Sequence, residues 1–117
     1  MSAFGAFTRR QREELLSHDR RYSLRQVALR VGIEPAYLSK IERGEFAPPS
    51  EGLICKLAQE LGQDPDVMLA LAGKVSGDLL EVIVKRPQLM ADLIRQVKEM
   101  PDDALLKIVR EVRDGQW

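Results

Sequence analysis

The residues best suited to chemistry fall within one short stretch, PAYLSKIERG. At helical spacing Ala36, Ser39, Lys40 and Arg43 stand at i, i+3, i+4 and i+7 and share one face, while Leu38 and Ile41 share the opposite one. Lysine and arginine donate to guanine acceptors, serine donates or accepts, and a small alanine permits close approach or contact with a thymine methyl. A short helix with an apolar back and this outer edge suits the major groove of B-DNA, which is wide enough to admit a helix. By spacing alone, an ordinary solvated helix face is the commoner origin of such a stripe.

Other reactive groups are few. Cys55 is the only cysteine, which excludes an intramolecular disulfide and a cysteine-based zinc site. Within the apolar pattern LICKLAQEL it reads as a buried thiol and not as a nucleophile. His18 is the only histidine, has no metal or triad partner, and reads as a helix-end surface residue. GKVS, after Ala72, has the form of the end of a phosphate-binding loop, but Met68 stands where its first glycine belongs and no strand precedes it. The acidic pairs EE and DD read as helix-start residues that complement the dipole. No catalytic constellation assembles, so the chain reads as non-enzymatic, with no cofactor and no metal.

The elements that must position the polar stripe have helical period throughout, and no segment alternates as a half-buried strand does. TRRQREELLSHD opens with a capping box, Thr8 as N-cap and Gln11 three residues on. A second box, Ser23 with Gln26, starts a short helix from Leu24 to Val31, stopped by Gly32. Pro35 takes the first position of the next helix, which should run to about Arg43 and end at Gly44. EFAPPSEG is a loop, since two consecutive prolines break a helix. Ser50 then caps EGLICKLAQEL, stopped by Gly62, and Asp64-Pro65 opens PDVMLALAG, which ends at Gly73.

Beyond Gly73 the pattern changes to three longer helical segments, SGDLLEVIVKR, PQLMADLIRQVKEM and PDDALLKIVREVRDG, parted at Pro87 and Pro101. Leu89, Met90, Leu93, Ile94 and Val97 form one apolar stripe; Leu105, Ile108, Val109 and Val112 form another. A tail this apolar cannot bury itself. It either packs back onto the first domain or associates with a second copy, and self-association is the favoured reading. Two domains are therefore expected, residues 1–73 and residues 74–117. Charge divides in the same sense. The chain of 117 residues is neutral overall, with 18 basic and 18 acidic groups, but residues 1–47 carry nine Lys/Arg against six Asp/Glu. The remainder carries nine against twelve, so a basic front is joined to an acidic back. No signal peptide and no apolar run of membrane-spanning length is seen, and a cytoplasmic location with no membrane partner is expected.

On the helix before the turn, Arg25, Gln26 and Arg30 are placed to meet phosphates, helped by the positive end of the helix dipole. From Ser23 to Gly73 the sequence SLRQVALRVGIEPAYLSKIERGEFAPPSEGLICKLAQELGQDPDVMLALAG resembles the helix-turn-helix domain of the Cro/cI-type (XRE) repressor family. The turn glycine, the LSKIERG core and the proline-rich loop stand at that family's spacing. The resemblance implies an all-α fold: a five-helix, lambda-repressor-like helix-turn-helix domain, here followed by a small C-terminal helical region. It implies that Pro35, Ala36, Ser39, Lys40 and Arg43 face the groove as base readers. Arg25, Gln26 and Tyr37 then meet the DNA backbone. The loop at Glu45 and Phe46 falls where the family adds backbone contacts, although Glu45 is a poor neighbour for a phosphate. Glu42 is expected to pair with an arginine of the first helix or its continuation, with Arg12, Arg20 and Arg21 all open.

Together these readings describe a sequence-specific, double-stranded-DNA-binding transcriptional regulator, a repressor that dimerises through residues 74–117 on a palindromic operator. Three alternatives stand beside it. One is an antitoxin whose C-terminal helices hold a toxin. Another is a repressor inactivated by cleavage, between Lys85 and Gln88 or near Met100-Pro101. The last is a helix-turn-helix fold used only to bind protein. A protein partner or small-molecule effector is compatible with all of them.

Overall fold

Helix-forming segments and their stop signals divide the chain as follows in a computed structural model that describes residues 3–117. Met1 and Ser2, which belong to the domain expected over 1–73, lie outside the described residues. Every regular element among the described residues is helical: α1 (Ala3–Leu16), α2 (Leu24–Val31), α3 (Pro35–Glu42), α4 (Glu51–Leu61), α5 (Pro65–Leu71), α6 (Gly77–Lys85), α7 (Pro87–Val97) and α8 (Asp102–Arg113). A single 3₁₀ turn, Arg20–Tyr22, precedes α2. The chain forms two compact units that part between Ser76 and Gly77.

The start of α1 departs from the expectation. Thr8 is not an N-cap; it is fully buried in mid-helix, and its hydroxyl donates to the Phe4 carbonyl oxygen at 2.8 Å. The reason is Phe4, also fully buried: docking its ring carries the helix upstream of the polar signal, since packing outweighs capping propensity. Glu13 and Glu14 consequently sit in the last turn of α1 and not in a first turn. Their unfavourable position relative to the dipole is offset at Glu13 by Arg9, one turn earlier at 2.8 Å.

The turn between α2 and α3 follows its local chemistry. Ser23 Oγ accepts from the Gln26 N–H at 3.2 Å. The reciprocal half of that capping box is not needed, because the Ser23 N–H already donates to the Arg20 carbonyl oxygen. Gly32 takes φ 81°, a left-handed conformation that a side chain resists, and the Ile33 N–H closes the helix end onto the Ala28 carbonyl oxygen. Pro35 then begins α3, and Arg43 caps it. Ser50 and Asp64 cap α4 and α5 through the Leu53 and Asp66 N–H groups.

Val27, Ala28, Leu38, Ile41, Ile54, Leu57, Met68 and Leu69 join Phe4 in the core of the first unit. Each large side chain there contributes about 1.5–3 kcal/mol through burial. Two contacts fix α3 against α1. Gly5 lies so close that a methyl group would strike the Ile41 carbonyl oxygen and come within 2.9 Å of that of Glu42. About two turns further on, Arg12 grips Glu42 with both arms, Nε to Oε2 at 2.7 Å and Nη2 to Oε1 at 2.9 Å, while Nη1 donates to the Tyr22 carbonyl oxygen. Both side chains of this ion pair are buried. Of the three candidates for the Glu42 partner, the structure selects Arg12.

In the second unit α6 packs against α7. None of its side chains is buried, although all three helices carry apolar residues.

The α1–α3 contact is directly testable by denaturation. Gly5→Ala is expected to cost about 1–3 kcal/mol by overpacking. Arg12→Ala leaves a buried carboxylate without its partner and is expected to cost about 3–5 kcal/mol. A loss under about 0.5 kcal/mol for Arg12→Ala, the level of an ordinary surface change, contradicts its role as a brace.

Candidate nucleic-acid interface

The candidate site is the outer face of α3 together with the start of α2. Leu38, Ile41 and Glu42 anchor the inner face of α3, all of them buried. Their register turns Ala36, Ser39, Lys40 and Arg43 to the other side, where Ala36 and Arg43 are exposed and Ser39 and Lys40 are half-buried. Pro35 and Tyr37 are also half-buried, and Tyr37 packs against the core from the flank.

Two of the cations on this face are held before any ligand arrives. The Lys40 ammonium lies over the Phe46 ring, 5.1 Å from its centroid, and the Phe46 ring leans on that of Tyr37 at 5.9 Å. The backbone tightens this arrangement, since the Glu45 and Phe46 N–H groups both donate to the Lys40 carbonyl oxygen. A flexible lysine thereby gains a preferred direction, by an attraction of about 0.5–1 kcal/mol at an exposed ring. Arg43 donates through Nε to the Ser39 carbonyl oxygen at 3.4 Å and pairs with Glu45 at 3.1 Å. The acidic residue of this loop is thus a partner for Arg43.

Arg25 and Gln26 are exposed in the first turn of α2. They line one shallow depression with Leu29, Ile33, Glu34 and Pro35, so the start of α2 and the start of α3 share a continuous surface. Arg30 is placed differently from the sequence expectation. It pairs with Glu60 of α4 at 2.6 Å and lies 5.4 Å from the Tyr22 ring centroid, a tie within the fold. Spacing along α2 made it look like a third phosphate ligand; the carboxylate that claims it lies thirty residues away.

Arg9 is a neighbour of the site that sequence reasoning missed. It lines the same narrow groove as Ser39 and Arg43. It is hidden in the sequence because the groove forms only where α1 packs against α3, about thirty residues further along the chain. The Arg9 hydrogen bond holds the Glu13 carboxyl below its ordinary range. The Arg21 side chain does the same for Asp19, whose carboxylate also caps the turn before α2. Each contribution is present above the ordinary carboxylate pKa and is lost as pH falls through the depressed value. Glu13 is exposed and Asp19 half-buried near solvent, so screening keeps both contributions small.

Among the described residues no cluster of His, Cys, Asp or Glu could hold a metal ion, and none of the helices is long and apolar enough to cross a membrane. Cys55 is a free, half-buried thiol against the core.

A family model described as a helix-turn-helix domain matches residues 3–71, which spans α1 to α5. The chain belongs to the helix-turn-helix domain family. No curated protein and no solved structure matches it. In helix-turn-helix domains the first helix of the motif crosses the DNA backbone and the second enters the major groove. Here those helices are α2 and α3, joined at Gly32, and the family supports double-stranded DNA as the partner.

The Lys40–Phe46 contact can be read without DNA. The Lys40 ε-methylene protons are expected upfield of their ordinary NMR position because the ring shields them, and Phe46→Leu is expected to return them to it. An ordinary shift in the unaltered protein contradicts the contact.

Proposed function

We propose that the chain is a sequence-specific transcriptional regulator of the Cro/cI type, a dimeric repressor that inserts α3 into the major groove of a palindromic operator. The observation that carries this reading is the braced outer face of α3, where Ser39, Lys40 and Arg43 stand together on a helix whose inner face is buried. Pro35 and Ala36 at its start admit close approach to the base edges. Ser39, Lys40 and Arg43 supply the donors that distinguish them, with Lys40 and Arg43 suited to guanine. Arg25 and Gln26 at the N-terminal end of α2, and Tyr37 on the flank of α3, fix the domain on phosphates and sugars.

One such domain covers too little DNA for tight specific binding, so two readers on two half-sites are needed. The apolar helices of the second unit, none with a buried side chain, are the means of bringing two copies together. Bound there, the dimer blocks access of other proteins to the same DNA, which is repression by occlusion.

Binding measured across a set of operator variants separates the roles. Lys40→Ala is expected to weaken the preferred site by about 1–3 kcal/mol and to relax the preference at one base position. Arg25→Ala is expected to weaken all sequences alike and to reduce the salt dependence of binding. Identical sequence profiles for the two variants would falsify the assignment of base reading to α3.

A further inference from the structure

We propose that α8 pairs antiparallel with α8 of a second copy of this chain across a two-fold axis, and that Asp102 and Arg113 set this orientation. The inference rests on the dimer reading above and adds its geometry. Leu105, Ile108, Val109 and Val112 form the apolar stripe of α8; Leu105 and Ile108 are half-buried, while Val109 is 48% and Val112 59% exposed. The part of the stripe left open to water is an association surface.

The charges on α8 determine what fits it. Asp102 and Asp103 occupy the first turn and Arg110 and Arg113 the last. At 100° per residue Asp102, Leu106 and Arg113 fall along the same edge of the apolar stripe. When two identical helices pack antiparallel, each such edge meets its own copy. Asp102 then faces Arg113 of the partner subunit, the two-fold repeats the contact, and the exposed Leu106 side chains approach one another between the two pairs. The helix dipoles oppose as well, which is the favourable arrangement. Parallel pairing instead sets this edge against the opposite edge of the partner, which carries Ala104 and Glu111, and makes neither Asp102–Arg113 contact. The surface is therefore complementary to itself in one direction only, and this selects a second copy over an unrelated partner.

A twelve-residue helix is only about 18 Å long, so α8 sets direction and register while the neighbouring helices add area. On α6 Leu79, Leu80, Val82 and Val84 are all exposed and lie on more than one face. Their burial brings the covered surface toward the roughly 1,200–2,000 Å² of a specific interface.

Sedimentation equilibrium of the full chain tests the pairing with Asp102→Arg and Arg113→Asp. The unaltered chain is expected to be dimeric. Each single variant places like charges together twice and is expected to dissociate at least about tenfold more readily. An equimolar mixture of the two variants, and the chain carrying both changes, restore two attractive pairs and are expected to regain the original dissociation constant within about threefold. Single variants as dimeric as the parent would overturn the antiparallel α8 pairing while leaving the dimer itself intact. Loss without rescue, in either the mixture or the double variant, overturns it too, and covers a variant that simply misfolds. A monomeric parent chain overturns both the pairing and the dimer reading.

Discussion

The buried pair of Arg12 and Glu42 is the interaction on which the rest of the first unit depends. An eight-residue helix is too short to be stable alone, and α3 must also turn a polar face outward, which leaves it few side chains with which to hold on. Leu38 and Ile41 supply adhesion but not direction, because apolar contact is indifferent to small rotations. The two-armed contact between a guanidinium and a carboxylate has a fixed plane and fixed lengths, so it supplies direction. Removing two charges from water carries a large desolvation cost that only good geometry offsets. Here the geometry is good: a third arm of Arg12 reaches the Tyr22 carbonyl oxygen, and no buried side-chain nitrogen or oxygen among the described residues lacks a partner.

From that brace outward the design changes from permanent to exchangeable contacts. On the proposed DNA-facing side, Arg43 rests on Glu45 and Arg9 on Glu13, through pairs whose side chains are about half exposed. Such pairs contribute little to stability, and an arginine can leave one for a phosphate or a guanine at small cost. They keep the cations extended and oriented, and they prevent like-charge repulsion across a narrow groove. Lys40 is treated in the same way, with an aromatic ring in place of a carboxylate. The inner face of α3 is thus rigid, and its outer face is organised but released easily.

Most of this arrangement is legible in the residues, and the exceptions share a physical cause. Gly32, Pro35, Ser50, Gly62 and Asp64 act within a few residues of themselves, so the starts and stops of α2 to α5 can be read directly. The opening of α1 cannot, because burial of Phe4 in a core built from distant residues decides it. The pairing of Arg30 is illegible for the same reason, since its partner Glu60 comes from another helix. The choice among Arg12, Arg20 and Arg21 for Glu42 needed the path of α1. The outward stripe of α3 was legible as a stripe; that Phe46 folds back under Lys40 depends on the turn after Gly44, where two N–H groups converge on one carbonyl oxygen.

The two units divide the proposed task between them, with a compact reader in residues before Gly77 and an apolar, unburied assembly surface after it. Sequence reading by α3, as proposed, is checked by selection from a random double-stranded DNA pool with the full chain. The expected result is enrichment of one motif made of two inverted half-sites, their centres about 34–36 Å apart or a multiple of that spacing. Folded protein that recovers no enriched sequence from the pool would contradict it.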